Sequence, residues 1–494
     1  MRNDKYKLLI SGELEQQTAF SNGGSDDEGL LDMPLARDGQ GRFTLRGSSL
    51  AGAFIATART LYPGKDLPAE ITEDTPSVQH RKQRGQAVEK LPRMKESVWR
   101  FHHAHPIDPP EPEIRDQVAI SQNTGAALHT AKFDAEVLPA GTRWRFLMEV
   151  DCYRAEDDTA AAIAVAVAEA WQQCCWLGRE VARGLGWMKL EKLAFRLLTT
   201  DQVGQWPDAK KSVWDALDAL DVTPARPELH PPKDWATPAP LPSLQCQVTI
   251  EPGVAEDGYG VDLLSVGSYQ HDPGRDRPQP KALVGKAFLR RHRDKVVKPL
   301  GQESATYIEF NDSNSGDTDF SLAVTEIPGE GSQPFIPGAG LRGAMRHALS
   351  WLLRRNGAPV WAPGEPLPEH PDLPLRLFGS TAESARLLVS DALLENDWQA
   401  VVLEMHAEDE FTQGVYGSGK FDRTALTRGC FKATLHLQAG SQEELEELRQ
   451  GLAMLQTLAA GRRIPLGGGQ WKGLGWVNMN IALPETQPEE RHDG

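Results

Sequence analysis

The chain is 494 residues long, with 40% hydrophobic and 25% charged residues, which is typical of a globular protein with enough length for two domains. Its opening residues carry no long apolar core and no run of roughly 18 apolar residues follows, so the sequence predicts a cytoplasmic protein with neither a signal peptide nor a membrane span. The net charge of −16 argues against indiscriminate nucleic-acid binding, because phosphate neutralisation needs Lys and Arg, but it is compatible with a local basic groove.

Taken in chain order, the predicted elements form the same series in each half of the chain. Alternating apolar residues predict an opening strand, and a glycine-rich turn then leads into a helix. Two strands, a second helix and a closing strand follow. The predicted bounds are Tyr6–Leu14 and Leu244–Ile250 for the opening strands, Ser97–Ala104 and Arg386–Ala392 for the second strands, Trp144–Tyr153 and Phe431–Leu437 for the third strands, Asp158–Glu180 and Glu443–Ala459 for the second helices, and Met188–Leu197 and Val477–Leu483 for the closing strands.

This order is that of the ferredoxin-like fold, which also underlies RNA-recognition modules. We therefore predict an α+β protein with two tandem ferredoxin-like (RRM-like) domains and a long insertion, 253–318, in the second. The Pro-rich segment 223–242 predicts a linker between a first domain, 1–222, and a second domain, 243–484. The final residues, 485–494, predict a solvated tail.

Three short blocks occur twice in the same order, about 290 residues apart. The turn Gly-x-x-Leu-x-Gly-Ala begins at Gly47 and again at Gly338. Lys-Phe-Asp ends at Asp134 and again at Asp422, and Gly-Leu-Gly-Trp ends at Trp187 and Trp476. Equal spacing of three blocks predicts a tandem duplication in which each half carries its own copy of the functional surface.

The glycine-rich segments are candidates for contacts with an RNA backbone. A Gly-x-x-Leu-x-Gly turn at a helix N-terminus presents backbone N–H groups to a phosphate; the alternative is a tight helix entry without a ligand. Gly461–Trp476 combines glycines with three cations and two tryptophans, which suits close backbone approach and base stacking. The alternative there is a packed hairpin.

Three glycine-rich segments resemble motifs of a known family. Residues 29–53 (GLLDMPLARDGQGRFTLRGSSLAGA) and 334–349 (PFIPGAGLRGAMRHAL) resemble the helix-entry motif of the RAMP superfamily, and 464–477 (IPLGGGQWKGLGWV) resembles its C-terminal glycine-rich loop. Two such domains in one chain resemble the fused backbone subunits of type III CRISPR RNA-guided effector complexes. The first domain departs from the family in reading Leu45-Arg46-Gly47 where Ile-Pro-Gly is usual; the second keeps Ile336-Pro337-Gly338.

The resemblance implies binding of guide (CRISPR) RNA, cleavage of complementary target RNA beside each domain, and contacts with other RAMP and effector-complex subunits. It also implies a β-hairpin thumb in each domain that flips a nucleotide, at Thr124–Phe133 and Thr412–Phe421. The residues that we expect to contact RNA are Arg46, Gly47, Ser48, Ser49, Thr124, Arg183, Gly338, Arg342, Arg346, Thr412, Arg462, Arg463, Gly468 and Lys472.

In the family, cleavage depends on an Asp in the loop before the helix entry. Asp32, ahead of Met-Pro, matches this pattern best, and Asp319 is its counterpart by the repeat. Asp262 is a rival in the second half because it follows the opening strand more closely. The carboxylate could take the proton of the RNA 2′-OH, or Asp32 and Asp319 could each hold a divalent cation, Mg²⁺ or Mn²⁺. The sequence leaves both roles open.

Two other functions remain at this point. The chain could be a non-catalytic guide-RNA-binding scaffold, or a guide-RNA precursor-processing nuclease that uses histidine. The second alternative rests on His102, His103 and His105. In the repeat, their counterpart contains Ser390-Asp391-Ala392, which favours a structural or RNA-contacting role for the histidines.

Overall fold

A computed structural model describes residues 6–24, 32–68, 70–71, 97–108, 110–121, 127–152, 158–204, 206–207, 211–229, 241–253, 263–267, 295, 322–362, 365–380, 384–408, 412 and 414–484. Thr124, Asp262 and Asp319 lie outside the described residues, as do most of the 253–318 insertion, residues 230–240 of the predicted linker and the 485–494 tail. Within the described ranges, no helix has the length and apolar content needed to cross a membrane.

The first domain contains a five-stranded antiparallel sheet with two main helices on one face. The strand order β2-β5-β1-β7-β6 is the ferredoxin-like order with one short strand added at an edge. Its elements are β1 Tyr6–Gln16, α1 Gly47–Leu61, β2 Trp99–Phe101, β3 Glu113–Ile120, β4 Ala127–Val137, β5 Arg143–Cys152, α2 Thr159–Trp171, β6 Cys175–Trp176, β7 Trp187–Leu198, α3 Thr200–Val203 and α4 Val213–Asp218.

Alternation along β1 explains how this sheet is covered on both faces. Leu8 and Ile10 pack in the core beneath α1 and α2. Leu9 points to the opposite face, where Trp206 and the buried residues of α4 cover it. Successive side chains of a strand point to opposite faces, so one apolar strand supports both layers.

The second domain repeats this plan, which confirms the predicted α+β fold with two ferredoxin-like units. Its sheet order is β11-β15-β8-β16, with β12 beside β15. The elements are β8 Ser243–Glu251, β9 Val324–Ile327, β10 Gly331–Pro334, α5 Gly338–Arg355, α6 Leu373–Phe378, β11 Leu387–Val389, β12 Leu393–Leu394, β13 Gln399–Glu408, β14 Val415–Arg428, β15 Phe431–Gln438, α7 Gln442–Ala460 and β16 Asn478–Ala482.

The helix termini test the sequence reasoning directly. Ser441 with Glu444 three residues on predicts an N-cap for α7, and this is confirmed, because Ser441 Oγ accepts the Glu444 N–H at 3.1 Å. The predicted helix Asp158–Glu180 is too long, since α2 ends at Trp171. Cys175, inside the predicted helix range, is instead buried in the edge strand β6 beside β7.

A long hairpin extends each domain in the region predicted to form a thumb. Strands β3 and β4 form the first hairpin, and β13 and β14 form the second. Asp116 pairs with Asp134 in the first hairpin, and Glu404 pairs with Asp422 in the second. The two hairpins therefore have the same register relative to the repeated Lys-Phe-Asp block.

The two domains contact each other through glycine backbone. A Cβ atom placed on Gly184 of the first domain would lie 2.6 Å from the Val389 carbonyl oxygen of the second. A Cβ atom on Gly338, at the N-terminus of α5, would lie 2.8 Å from the Arg183 carbonyl oxygen. Only glycine permits this approach. The glycine-rich loop Val181–Trp187 of the first domain therefore fits against the helix entry of the second.

Polar side chains from the first hairpin complete this junction. Arg115 Nη1 lies 2.7 Å from Asp391 Oδ2, and both side chains are buried. Glu113 accepts hydrogen bonds from Thr325 Oγ1 at 2.8 Å and from the Glu326 N–H at 2.7 Å. The junction therefore has a specific charge pattern in addition to its shape.

An imidazole is also buried at the junction. The His436 ring lies 5.2 Å from that of Trp176 and 6.5 Å from that of Trp187, measured between centroids. Its Nε2 has no hydrogen-bond partner among the described residues. Burial lowers the pKa of His436 below its ordinary value of 6.5, because a charged imidazole would lose its hydration there.

We expect this histidine to make the protein less stable as the pH falls below about 6.5. The unfolded chain then takes up a proton before the folded one does. Stabilisation is therefore complete above the unfolded pKa and is lost as the pH falls toward the lowered folded pKa. Between about pH 8 and about pH 5, the melting temperature of His436→Gln should fall less steeply than that of wild type. The control is His347→Gln, at an exposed position, whose melting temperature should fall with pH as steeply as that of wild type. Equal slopes for wild type and His436→Gln would contradict the expectation.

Candidate nucleic-acid interface

Asp32 lies at the base of the first hairpin, beside Asp134 of β4. The Asp32 N–H donates to Asp134 Oδ1 at 2.8 Å, and the Asp134 N–H donates to Asp32 Oδ2 at 3.1 Å. Asp134 is buried whereas Asp32 is exposed. This reciprocal pair fixes the backbone of the loop and one carboxylate oxygen, and it leaves the Asp32 side chain accessible to a ligand.

A second carboxylate of β4 holds the residues that follow Asp32. Glu136 Oε2 accepts the Leu35 N–H at 2.9 Å, and its Oε1 accepts from Arg37 Nη2 at 2.7 Å. Met33 also forms a parallel bridge with Ala135. The loop that carries Asp32 is therefore hydrogen-bonded along one strand of the hairpin.

One described neighbour of Asp319 shares a backbone contact with its counterpart near Asp32. The carbonyls of Ala36 and Ala323 each accept an N–H from the segment just before the helix entry, at 3.0 and 3.1 Å. Asp32 and Asp319 precede these alanines by the same number of residues. This register is the one used to predict Asp319, which itself lies outside the described residues.

The neighbourhood of Asp262 has a different counterpart. Leu264 bridges Leu426 as Phe20 bridges Leu138 in the first domain. Asp262, also outside the described residues, lies just ahead of Leu264 in the chain. By this register it aligns with Thr18, just beyond the end of β1, and not with Asp32.

The repeat itself contains carboxylates whose role sequence reasoning missed. Asp134 and Asp422 served only as markers of the duplicated Lys-Phe-Asp block. In the fold, Asp134 is the hydrogen-bond partner of the predicted catalytic loop, and Asp422 holds the equivalent position on β14. Their recurrence at one place in both hairpins was the available signal.

The first N–H of each helix entry is bonded to a protein side chain. The Gly47 N–H donates to His103 Nδ1 at 2.9 Å, and the Gly338 N–H donates to Asp391 Oδ1 at 2.8 Å. In α5 a carboxylate therefore occupies the helix N-terminus, where the sequence predicted a phosphate. The exposed residues of the first turn are Arg46, Ser48 and Ser49.

Three of the predicted RNA-binding cations meet at the domain junction. Arg183 of the first domain and Arg346, one turn further along α5, both lie close enough to Arg342 to lower its pKa. Burial, followed by repulsion from Arg346 and Arg183, lowers the pKa of Arg342 to about 10. Burial also lowers the pKa of Arg346.

We call Arg183, Arg342 and Arg346 the junction arginines. The hydrogen bonds of Arg342 and Arg346 use only some of their N–H groups. Arg342 donates to the Phe378 carbonyl, and Arg346 Nη1 donates to the Gly379 carbonyl at 3.1 Å. These contacts cap the C-terminal end of α6, which favours cations. The Nε atoms of Arg342 and Arg346 have no partner among the described residues.

The predicted cations of the second glycine-rich segment are not brought together. Lys472 Nζ lies 5.0 Å from the ring centroid of Phe421 and 4.6 Å from that of Trp471, beside the hairpin. Arg462 lines a small cavity beside β8 and β16. Among the other predicted residues, Arg463, Gly468 and Thr412 are exposed.

The three histidines have separate partners. His102 Nε2 lies 2.7 Å from Glu149 Oε1, and His105 Nε2 lies 3.2 Å from Asp38 Oδ2, while His103 caps α1. Such an arrangement is structural. Nothing in it resembles paired histidines converging on one substrate atom.

A divalent cation would have few protein ligands at this interface. In the part of the chain that the structure describes, no group of three His, Cys, Asp or Glu residues could hold a metal ion. The exposed Asp32 carboxylate fits a cation whose other ligands are RNA phosphate oxygens and water, as Mg²⁺ often has. Asp319 would play this part in the second domain.

Comparison with known protein families matches the RAMP superfamily to residues 19–189 and again to residues 321–478. Each matched region contains one helix entry, one hairpin and one glycine-rich loop. A search of curated proteins finds no significant match. Because the two matched regions together cover more than half of the chain and coincide with its structural repeat, the protein belongs to the RAMP superfamily.

Proposed function

We propose that this protein binds guide RNA across the junction of its two domains and cleaves complementary target RNA beside each hairpin, as a subunit of a type III CRISPR effector complex. Membership of the RAMP superfamily supports an RNA-binding subunit of a CRISPR-associated complex. The finer assignment depends on the junction arginines and on the loop of Asp32.

The junction arginines carry the RNA-binding part of the proposal. Two are largely buried and repel each other, which costs free energy unless an anion offsets their charge. Two carboxylates offset part of this charge: Glu180 pairs with Arg183 at 2.6 Å and acts to raise the pKa of Arg342, and Asp372 acts to raise that of Arg346. Among the described residues, neither carboxylate is hydrogen-bonded to Arg342 or Arg346. A phosphate diester supplies the anionic acceptor oxygens that guanidinium groups favour.

Such contacts would hold the RNA backbone without reading its bases. Phosphate contacts position a nucleic acid and carry no sequence information. In an RNA-guided complex, base pairing with the guide would select the target. A net charge of −16 with a local cationic cluster suits this role, because repulsion elsewhere on the surface limits indiscriminate binding.

For cleavage, the RNA would supply its own nucleophile, the 2′-OH. Attack on the adjacent phosphorus requires that the 2′-oxygen and the leaving 5′-oxygen be in line, and a hairpin that displaces one nucleotide would favour that geometry. Orientation of this kind lowers a barrier by several kcal/mol. The position of Asp32 at the base of the first hairpin supports this arrangement.

Asp32 would then act on the aligned nucleotide. Its carboxylate is exposed, and the Asp134 N–H holds one of its oxygens. The other oxygen would either accept the 2′-OH proton or bind a divalent cation that offsets the phosphate charge. Asp319 is proposed for the same role in the second domain, with Asp262 as the alternative.

The histidine-based alternative has less support. His102, His103 and His105 contact Glu149, Gly47 and Asp38 respectively, so their rings serve the fold. A scaffold without catalysis would share the junction arginines but would not depend on Asp32. The two possibilities therefore separate in a cleavage assay.

The RNA-binding proposal is tested by Arg342→Gln. We expect single-stranded RNA to bind about ten-fold more weakly, because one charge-assisted phosphate contact is lost. The slope of log affinity against log salt concentration should also become shallower by about one. The control is Arg355→Gln, at the exposed end of the same helix, which should bind like wild type. Unchanged RNA affinity in Arg342→Gln with a lowered melting temperature would leave only the capping role of Arg342.

A further inference from the structure

The sheet of the first domain is covered on its outer face, the one opposite α1 and α2, by a segment that follows β7. We call α3, Trp206 and α4 together the strap. The buried side chains of the layer between the strap and the sheet are Leu9, Leu147, Leu198, Trp206, Ala216 and Leu217. The strap is therefore packed as part of the first domain, although it lies outside the repeated ferredoxin-like unit.

A hydrogen bond fixes the indole of the strap on the sheet. Trp206 Nε1 donates to Glu149 Oε1 at 3.1 Å, which satisfies the polar group of a buried tryptophan. Lys7 Nζ lies 2.6 Å from Glu149 Oε2, and His102 Nε2 lies 2.7 Å from Oε1. Trp206 thus has a defined position over the Glu149 side chain of β5.

The duplication identifies the residue of the second domain that is equivalent to Glu149. Arg100 and Leu388 each lie three residues before the side chain that caps the helix entry of their domain. Arg100 pairs with Glu149 across β2 and β5, and Leu388 pairs with His436 across β11 and β15. Glu149 and His436 therefore occupy the same position in the two sheets.

Tryptophan covers this position in both domains, but it comes from different parts of the chain. On the second domain, the Trp176 ring of the first domain lies 5.2 Å from that of His436. On the first domain, the strap supplies Trp206 from the same domain. The strap therefore takes the place on the first domain that a neighbouring domain takes on the second.

The residues beneath the two covers differ in polarity. Leu9 pairs with Glu149, and Gln245 pairs with His436, so Leu9 and Gln245 are equivalent. Leu9 is buried, whereas Gln245 is exposed to solvent. Burial of leucine is favourable, and an exposed apolar patch promotes association. The first domain therefore needs a cover at this position that the second does not need.

Charge also distinguishes the two faces. Arg100 is exposed and its Nη2 lies 3.1 Å from Asp151 Oδ2, whereas the equivalent Leu388 is buried. A domain that docked on the first domain as the first docks on the second would bury Arg100 and displace Trp206. Taking a charge out of water and uncovering leucine both cost free energy, so both oppose such docking.

We propose that the strap closes the outer face of the first domain to other domains, because Trp206 occupies the site that Trp176 occupies on the second domain. The occupant of this site is then a segment of the chain itself, and no neighbour docks there in an assembled complex. This inference rests on the proposed function only in assuming a complex of several subunits, and it requires neither RNA binding nor cleavage.

Cysteines at two equivalent positions test whether the face is closed. Arg100→Cys and Leu388→Cys are made separately in the full chain, and mass spectrometry follows maleimide modification of each in the free chain and in the assembled complex. Arg100→Cys should react at the same rate in both states, because no neighbour covers it. Leu388→Cys should react roughly ten-fold or more slowly than Arg100→Cys in both states, because thiol reactivity depends on exposure.

Loosening the strap tests whether the strap is the cause. Trp206→Ala combined with Leu217→Ser removes the hydrogen bond to Glu149 and part of the apolar layer, and faster hydrogen exchange in α4 verifies the loosening. This variant should self-associate about ten-fold or more tightly than wild type, because it exposes an apolar sheet face. In the oligomer, an added Arg100→Cys should lose its maleimide reactivity. The control is Trp351→Ala, at a side chain that is 44% exposed on α5, which should behave like wild type.

Three results would overturn the inference. Slower modification of Arg100→Cys in the complex than in the free chain would mean that a neighbour docks on this face. A loosened, folded variant that stays monomeric would mean that the strap does not keep the face closed. Oligomers in which Arg100→Cys keeps its reactivity would place the association on another surface. If the double variant does not fold, Trp206→Ala alone provides the same comparison. The RNA-binding proposal is judged separately, by Arg342→Gln.

Discussion

Replacing Asp32 with alanine is expected to abolish one cut in a target RNA while the affinity for guide RNA stays unchanged. The side chain would be the proton acceptor or the cation ligand, and loss of such a group slows a reaction by about 10²–10⁴-fold. The phosphate contacts assigned to the junction arginines lie elsewhere and remain in place. The measurement is the product ladder of a matched target RNA incubated with the assembled complex, with and without Mg²⁺.

Asp32→Asn is the matched control for structure. The amide oxygen can still accept the Asp134 N–H that Asp32 Oδ2 accepts at 3.1 Å, but the charge is gone. Loss of the same cut in both variants would assign the effect to the carboxylate. Cleavage by Asp32→Asn at the wild-type rate would mean that Asp32 only shapes the loop.

The second domain should supply a second cut at a fixed distance from the first. Asp319→Ala is expected to remove it, because the Ala323 carbonyl accepts an N–H from the segment before the helix entry as the Ala36 carbonyl does, which supports the register that aligns Asp319 with Asp32. Asp262→Ala serves as the comparison. If Asp262→Ala alone removes the second cut, the register inferred from the repeat is wrong in this loop. If none of the three variants alters the ladder, the chain is a scaffold.

The second large effect is expected at the domain junction. Asp391→Ala should lower the free energy of unfolding by about 3 kcal/mol, because it leaves a buried guanidinium without its main counter-charge. Burial acts to lower the pKa of Arg115, but the carboxylates of Asp391 and Glu113 outweigh burial and leave that pKa raised. The substitution also removes the acceptor of the Gly338 N–H. Urea unfolding followed by tryptophan fluorescence measures the change.

Two comparisons identify the cause. Asp391→Leu combined with Arg115→Met should recover part of the lost stability, since these two charges are then absent and only Glu113, which keeps its Thr325 and Glu326 donors, stays at the junction. Asp108→Ala should have no measurable effect, because the Asp108 side chain is 84% exposed in its ion pair with Arg143. Equal losses in Asp391→Ala and the double variant would show that the lost cap of α5, and not the unpaired charge, is responsible.

The repeat was the part of the sequence that predicted most. Short blocks at equal spacing predicted two domains of one fold, and alternation in β1 and β8 predicted the central strands, because these signals are local and periodic. Ser441 was predicted correctly as a cap for the same reason: the bond to Glu444 spans one helical turn. The error at α2 arose because no Gly or Pro marks its end at Trp171: the first glycine after it is Gly178, and Cys175 and Trp176 between them lie in an edge strand.

The sequence by itself determined the fold class and the duplication, since each depends on residue types at short or regular spacing. The resemblance of residues 29–53 to the RAMP helix-entry motif made Asp32 the candidate carboxylate. Only the tertiary structure decided which groups meet. It paired Asp32 with Asp134, brought Arg183 to Arg342 across the junction, and covered one glycine-rich loop but not the other. These contacts join residues about 100 or more positions apart, and no local pattern specifies them because they depend on how two sheets and two hairpins pack together.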